Sequence, residues 1–410
     1  VPAFCFAEIF QKLKNLLRAV QETLLQDGRR KGTMMAKKNV KKSSKKGSAD
    51  KKTRTKSRLG LIIPVVVVLV AAAAFLGIRY MSGTAGPQAG FQKGMGYVTW
   101  SETAYSTDSS DESLGQMKEL GCNWVSVLVT WYQTNCWSGD IHKTKNTPTD
   151  ESIRHAIQKA HELGMKVCLK PHLDLLDKSD GSWRGEIGCL READWDKWFK
   201  KYTDYIMHYV RIASEEGVEM FCIGTELSNT ATAKGYMWED MIKKIRAEYP
   251  GLLIYAAHWD RYPDIRFWDK LDFIGINAYF PLTEKMKPSY EELLKGWEQW
   301  VPEVEEFQKR IGKPVIFPEA GCNSANGAAI RPWEHIARSE VNIKLQEDYY
   351  RAVLKTFWEK EWFYGLYWWY WGTNPHMGGK YNRGFTPQRK PAEDVIKKWY
   401  ARPVSRKPIR

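Results

Sequence analysis

The chain has 410 residues, 43% hydrophobic and 13% aromatic, enough for one large core with appendages. Its formal net charge is +14, yet residues 36–58 alone hold nine Lys and two Arg against one Asp. From Leu59 onward the charges nearly cancel, which argues against a nucleic-acid partner for the folded part.

In chain order, residues 10–25 (FQKLKNLLRAVQETLL) have helical apolar spacing that suits a membrane surface or a partner. Met34-Met35 followed by AKKNVKKSSKK resembles a natural protein start. Residues 1–33 therefore read as an over-extended start or an amphipathic segment, and 34–58 as a basic cytoplasmic tail. Residues 59–78 (LGLIIPVVVVLVAAAAFLGI) carry no charge and are long enough to cross a bilayer. Basic residues crowd the N-terminal flank of this run, against Arg79 alone beyond it. That asymmetry predicts a single transmembrane helix with a cytoplasmic N-terminus and an exported, periplasmic or extracellular domain. A cleaved signal peptide is the rival expectation. Residues 79–92 read as a linker rich in small residues, 93–400 as the exported domain and 401–410 as a basic tail.

Strand-like apolar runs then recur at 94–100, 123–131, 166–172, 220–226, 252–259, 273–279, 314–319 and 364–371. Helical runs fill the gaps at 111–120, 150–163, 194–215, 237–249, 289–310, 340–359 and 391–399, with only a short turn near 265–270. Eight alternations over about 310 residues predict a (β/α)8 TIM barrel. No Gly-rich phosphate loop opens any of the helices, which argues against a dinucleotide fold. The seven cysteines include no CxxC pair. Cys168 and Cys222 read as buried strand thiols, while Cys122, Cys136, Cys189 and Cys322 would allow one disulfide in an exported domain.

Glu226 and Glu319 each close an apolar run, 93 residues apart. In a barrel both would sit at C-terminal strand ends, on the face that carries the chemistry. Side chains alternate along a strand. Glu226 would therefore share a face with Met220, Cys222 and Gly224, and Glu319 with Val315 and Phe317. A carboxylate so placed costs desolvation energy unless it is paired or used. The alternative is a buried ion pair, with Lys170 as the available cation. His172 and His258 have no third ligand at suitable spacing, so neither a metal nor another cofactor is expected.

Three motifs are more specific. Lys170-Pro-His-Leu-Asp, Ile223-Gly-Thr-Glu-Leu and Trp368-Trp-Tyr-Trp-Gly together resemble glycoside hydrolase family 113, within the large clan of retaining (β/α)8 glycosidases. The similarity covers roughly residues 94–399. It implies that Glu226 is the general acid/base and Glu319 the nucleophile, about 5–5.5 Å apart for a retaining enzyme. It implies that Tyr279 hydrogen-bonds the nucleophile and that Trp369 or Trp371 is the sugar platform. Trp100, Trp131 and Trp259 would line other subsites, and Lys170, His172, Asp174, His258 and Asn277 would supply polar groups at the mouth. Most clan members have Asn before the acid/base, where it contacts the sugar 2-hydroxyl; here Thr225 occupies that position. The implied substrate is β-1,4-mannan or manno-oligosaccharides. Rivals are another β-linked envelope polysaccharide, a non-catalytic glycan-binding barrel, or a membrane scaffold that recruits partners through its N-terminal segments.

Overall fold

The computed structural model describes residues 90–188, 191–335 and 338–409. Eight parallel strands close into a barrel in sequence order: β1 (Gln92–Val98), β2 (Trp124–Gln133), β3 (Lys166–Leu175), β4 (Met220–Thr225), β5 (Leu252–His258), β6 (Ile274–Ala278), β7 (Val315–Ala320) and β8 (Phe363–Gly372). Helices return the chain after seven of them: α1 (Asp108–Glu119), α2 (Asp150–Glu162), α3 (Glu192–Glu215), the pair α4 (Ser228–Ala233) and α5 (Gly235–Glu248), α6 (Tyr290–Ile311), α7 (Ile343–Phe357) and α8 (Pro391–Tyr400). Between β5 and β6 the chain makes only two short 3-10 turns, as the weak periodicity there predicts.

Helix ends follow their sequence signals. Thr107 and Thr149 accept a backbone N–H at the starts of α1 and α2, and Ser289 with Glu292 forms a capping box at α6. Gly312, in the left-handed region at φ 73°, ends α6.

Two buried layers divide the apolar side chains. Val125, Val127 and Val129 of β2, Leu169 of β3, Val315 and Phe317 of β7 and Leu366 of β8 pack outward against the helices. Trp124, Cys168, Met220, Cys222, Ile254, Phe273, Ile316 and Tyr367 fill the barrel interior. Gly94 leaves room for one of them: a Cβ there would meet the Tyr367 ring at 2.5 Å.

Three bulges interrupt the alternation just below the C-terminal mouth. Opposite β5, β4 advances from Cys222 to Thr225 while β5 advances only from Ile254 to Ala256. Opposite β6, β7 advances from Ile316 to Glu319 while β6 moves from Gly275 to Asn277. Opposite β1, β8 advances from Trp368 to Trp371 while β1 moves from Met95 to Tyr97. Each extra residue reverses which face the following side chains take. The expectation that Glu319 continues the face of Val315 and Phe317 is thereby corrected: those two face the helices, and the bulge turns Glu319 inward. In β4 the bulge puts Gly224 on the helix side, against Trp238 and Tyr202, and Thr225 inside.

The basic tail is held against the barrel. Arg406 donates to the carbonyls of Trp358, Lys360 and Phe363, Tyr364 donates to the carbonyl of Lys407, and Ile409 packs against the interior cluster. Cys122, Cys136, Cys168, Cys222 and Cys322 are buried free thiols, so the disulfide anticipated from the sequence does not join any of these five. Cys189 lies outside the described residues, as do the start segment, the basic tail, the apolar run 59–78 and most of the linker. No helix among the described residues is long and apolar enough to cross a membrane.

Candidate active site

A cleft of about 560 Å³ opens at the C-terminal ends of the strands, lined by segments that follow β3 through β8. Two glutamates face it. Glu226 is the first residue beyond β4, with φ at 55°, a region that side chains bearing a Cβ seldom occupy. Its amide donates to the Ala256 carbonyl at 2.8 Å, which ties this turn to β5. Such a conformation persists only when its surroundings over-determine it. The carboxylate accepts from Asn277 Nδ2 at 3.0 Å through Oε1, and Arg184 Nη1 lies 3.4 Å from Oε2.

Glu319, inside β7, has a different set of partners. Lys170 Nζ donates to Oε1 at 2.5 Å and the Tyr279 hydroxyl donates to Oε2 at 2.8 Å. The ammonium compensates the carboxylate charge on the spot, inside a site with little water to do so. His172 Nε2 is 3.7 Å from Oε1 and has no hydrogen-bond partner. Burial pushes the His172 imidazole well below its ordinary pKa, and the charges of Lys170 and Arg184 push it further, so it is neutral. Burial, then the charges of Glu319 and Glu226, hold the Tyr279 phenol well above its usual range, so it stays a donor.

A second charge group sits on the wall beside Glu226. Arg184 Nη2 lies 3.4 Å from Asp174 Oδ2, and Lys178 pairs with Asp174 at 2.9 Å. Burial alone would raise the Asp174 carboxyl; the cations of Arg184 and Lys178 more than offset it and bring the pKa below the ordinary value.

Aromatic rings form the remaining wall. Trp369 lies parallel to His172, with centroids 5.9 Å apart and planes within 3°. On the other side Trp259 stacks on Trp333 at 5.6 Å, and His258 lies 4.9 Å from Trp183. His258 also bonds Asp260 through Nδ1 at 2.6 Å.

Of the residues expected at the mouth, Asp174, His258, Trp259, Tyr279 and Trp369 line the cleft with the two glutamates. Lys170, His172 and Asn277 sit one layer deeper and touch the carboxylates rather than open space. Three expectations are corrected, and a fourth residue, Trp100, lies beyond the cleft. Trp131 shares the outward face of Val125, Val127 and Val129; its indole donates to Tyr209 on α3 at 2.8 Å. Trp371 is turned outward by the β8 bulge and donates to Ser113 on α1 at 2.8 Å. Trp100 stands outside the cleft against Tyr370. Thr225 is buried with its hydroxyl 3.9 Å from Cys222 Sγ, away from the cleft. Trp183, Arg184, Lys178, Arg261, Trp333 and Phe385 were not anticipated. All lie on loops or, for Arg184, on a short 3-10 turn, where no periodicity marks a side chain's direction; Trp183-Arg184 stands within the Asp/Ser/Gly-rich stretch after β3. Among the described residues no group of three or more His, Cys, Asp or Glu side chains could hold a metal ion.

Two glutamates on one cleft, one held by an ammonium and a phenol and the other by an amide and a guanidinium, can divide the work of nucleophile and proton donor. The family model described as Glycoside Hydrolase Family 113 matches residues 95–390. No curated protein matches the chain. Among solved structures, a β-mannanase of that family from Alicyclobacillus acidocaldarius, in complex with ManMIm, is 29% identical. The alignment covers 78% of this chain and 99% of that one, with a TM-score of 0.68. A second β-1,4-mannanase of the family, also a complex, is 27% identical over 76% of this chain and 99% of that one, with a TM-score of 0.69. A β-glucuronidase from Faecalibacterium prausnitzii, at 14% identity, TM-score 0.51 and coverage of 77% and 49%, shares the fold.

Proposed function

The chain belongs to glycoside hydrolase family 113 and is a glycoside hydrolase, and from that premise we propose that it cleaves β-1,4-mannan or manno-oligosaccharides with retention of configuration. The observation that carries the mechanism is the unequal partnering of Glu226 and Glu319 on one cleft. Glu319 attacks the anomeric carbon, while Glu226 gives its proton to the departing glycosidic oxygen. Glu226 then takes a proton from water, whose oxygen attacks the same carbon and frees Glu319. Lys170 and Tyr279 position the nucleophile, Asn277 positions the acid/base, and Trp369 offers its face to the apolar side of the pyranose. Thr225 points elsewhere, so the sugar 2-hydroxyl is read by other groups.

Residues 59–78 anchor the enzyme in this proposal, with the N-terminus cytoplasmic and the barrel extracytoplasmic. The uncharged run and its basic flank support that orientation. Protease digestion of spheroplasts should remove the barrel and leave the N-terminal segment protected; a barrel protected until the cytoplasmic membrane is lysed would overturn it.

Reducing-sugar release by the full chain from β-mannan, β-glucan and xylan, beside Glu319→Ala, tests the assignment. Release from mannan alone, absent in the variant, is expected; release from another glycan alone would move the substrate. Glu226→Ala should retain turnover on aryl glycosides with good leaving groups, which need little protonation to depart. Wild-type turnover in Glu319→Ala would remove the nucleophile assignment.

A further inference from the structure

The cleft is not the only part of this face suited to sugar. Among the described residues the most exposed large apolar side chains are Trp100, Trp137, Tyr236, Trp333 and Tyr381, with Leu176 and Met286. Each lies beyond the C-terminal end of a strand, Tyr236 in the first turn of α5 and the others before the helix that follows; none lies on a turn that enters a strand. Scattered apolar side chains on a surface need no explanation. Confinement to one of two opposite faces does, because solvent reaches both loop sets alike.

One of these residues is joined to the catalytic centre by contact. Trp369, beside His172 and Glu319, lies 5.6 Å from Tyr370 by ring centroids, and Tyr370 lies 5.9 Å from Trp100 in an edge-to-face pair. An aromatic trail thus leaves the cleft between β8 and β1, on the side away from Trp259 and Trp333. Trp100 is 48% exposed, Trp137 58% and Tyr381 80%. None of the three lines the cleft.

We propose that Trp100, Trp137 and Tyr381 form a glycan-binding rim outside the cleft, which holds a polysaccharide chain longer than the cleft covers. This rests on the hydrolase assignment above. The chemistry favours sugar over a lipid surface. Trp and Tyr present a flat apolar face beside a polar N–H or O–H, matching a pyranose with its C–H face and equatorial hydroxyls. A membrane-binding surface would set its apolar side chains, aromatic ones included, among predominantly basic ones. Here Leu176 and Met286 are the only aliphatic members, and the loops carry both signs of charge, as at Asp140, Lys178, Asp180 and Lys380.

The test uses the full chain with Trp100→Ala, Trp137→Ala and Tyr381→Ala combined; all three are exposed, so folding should survive. Against polymeric β-mannan, kcat/KM should fall roughly tenfold, the loss expected from a few exposed stacking contacts. On mannotriose and an aryl mannoside it should be unchanged. Equal loss on long and short substrates, or no loss on either, would overturn the rim. Electrophoretic retardation of the same proteins in gels containing β-mannan, β-glucan or xylan tests the rim without hydrolysis. Retardation lost in the triple variant supports it even if no glycan is cleaved, a result that would count against the hydrolase assignment alone. A wild-type chain unretarded by every glycan, or wild-type retention on phosphatidylglycerol vesicles that the triple variant loses, would overturn it.

Discussion

Lys170 and Glu319, 149 residues apart in the chain, form an ion pair at the base of the cleft, with Nζ 2.5 Å from Oε1 and side chains 1% and 5% exposed. The sequence offered a buried ion pair and a catalytic carboxylate as alternatives; the ion pair is present, on the carboxylate proposed as the nucleophile. Breaking such a pair leaves a charge buried without compensation.

Lys170→Met should therefore destabilise the barrel by about 3–5 kcal/mol, the usual range for orphaning a buried charge. Lys170→Met combined with Glu319→Gln should recover part of that loss, because the second change removes the orphan. Urea denaturation of the two single variants and the double variant gives the coupling. Additive losses would show that the pair contributes nothing as a pair.

Trp369 and Trp371 should behave differently although only Tyr370 lies between them. Trp369→Ala should lower kcat/KM roughly 10- to 100-fold through the lost platform. Trp371→Ala should instead cost about 3–5 kcal/mol of stability, since it empties a packed site against α1. Kinetics per folded molecule should stay near wild type. A Trp371→Ala enzyme that is stable but inactive would contradict the observed orientation.

Arg184→Gln should weaken folding most near neutral pH. The Asp174 carboxyl lies below its unfolded value, burial being outweighed by Arg184 and Lys178. It therefore stabilises the fold above the ordinary carboxylate range, and that contribution disappears as pH falls through the folded pKa. The gap between wild type and variant in urea midpoint should shrink on going from pH 7 to the acid limb. A gap independent of pH would show that Arg184 acts only through packing.

Lys390 predicts the opposite end of the scale. Its ammonium donates to Ser324 Oγ and to the Gly384 carbonyl, both at 2.8 Å, joining the loops after β7 and β8. Burial lowers its pKa to about 7, against an ordinary 10.5. The unfolded chain thus holds one more proton than the native state between about pH 7 and 10.5. Stability from this group grows across that window and is lost as pH falls through about 7. The thermal midpoint of wild type relative to Lys390→Met should rise between pH 7 and 10. A flat difference would mean that the lysine keeps its charge throughout.

Much of this was legible in the chain. The eight apolar runs became eight strands, and both glutamates stand at the C-terminal ends of β4 and β7. The account of their direction was wrong in part. Strict alternation places Glu319 on the face of Val315 and Phe317, and Trp371 on that of Trp369; bulges in β7 and β8 reverse both. A bulge is defined by the register of two neighbouring strands, and one strand's sequence does not contain its neighbour's position.

The sequence alone determined the periodicity, the order of the elements and the residue types at the strand ends, because alternation and helical spacing are local properties of a chain. The closed barrel decided the rest. It set Lys170 of β3 against Glu319 of β7, Asn277 of β6 against Glu226 beyond β4, and the loop residues Trp183, Arg184 and Trp333 around them. Those partnerships arise from packing segments far apart in the chain, where burial and charge compensation act between neighbours in space.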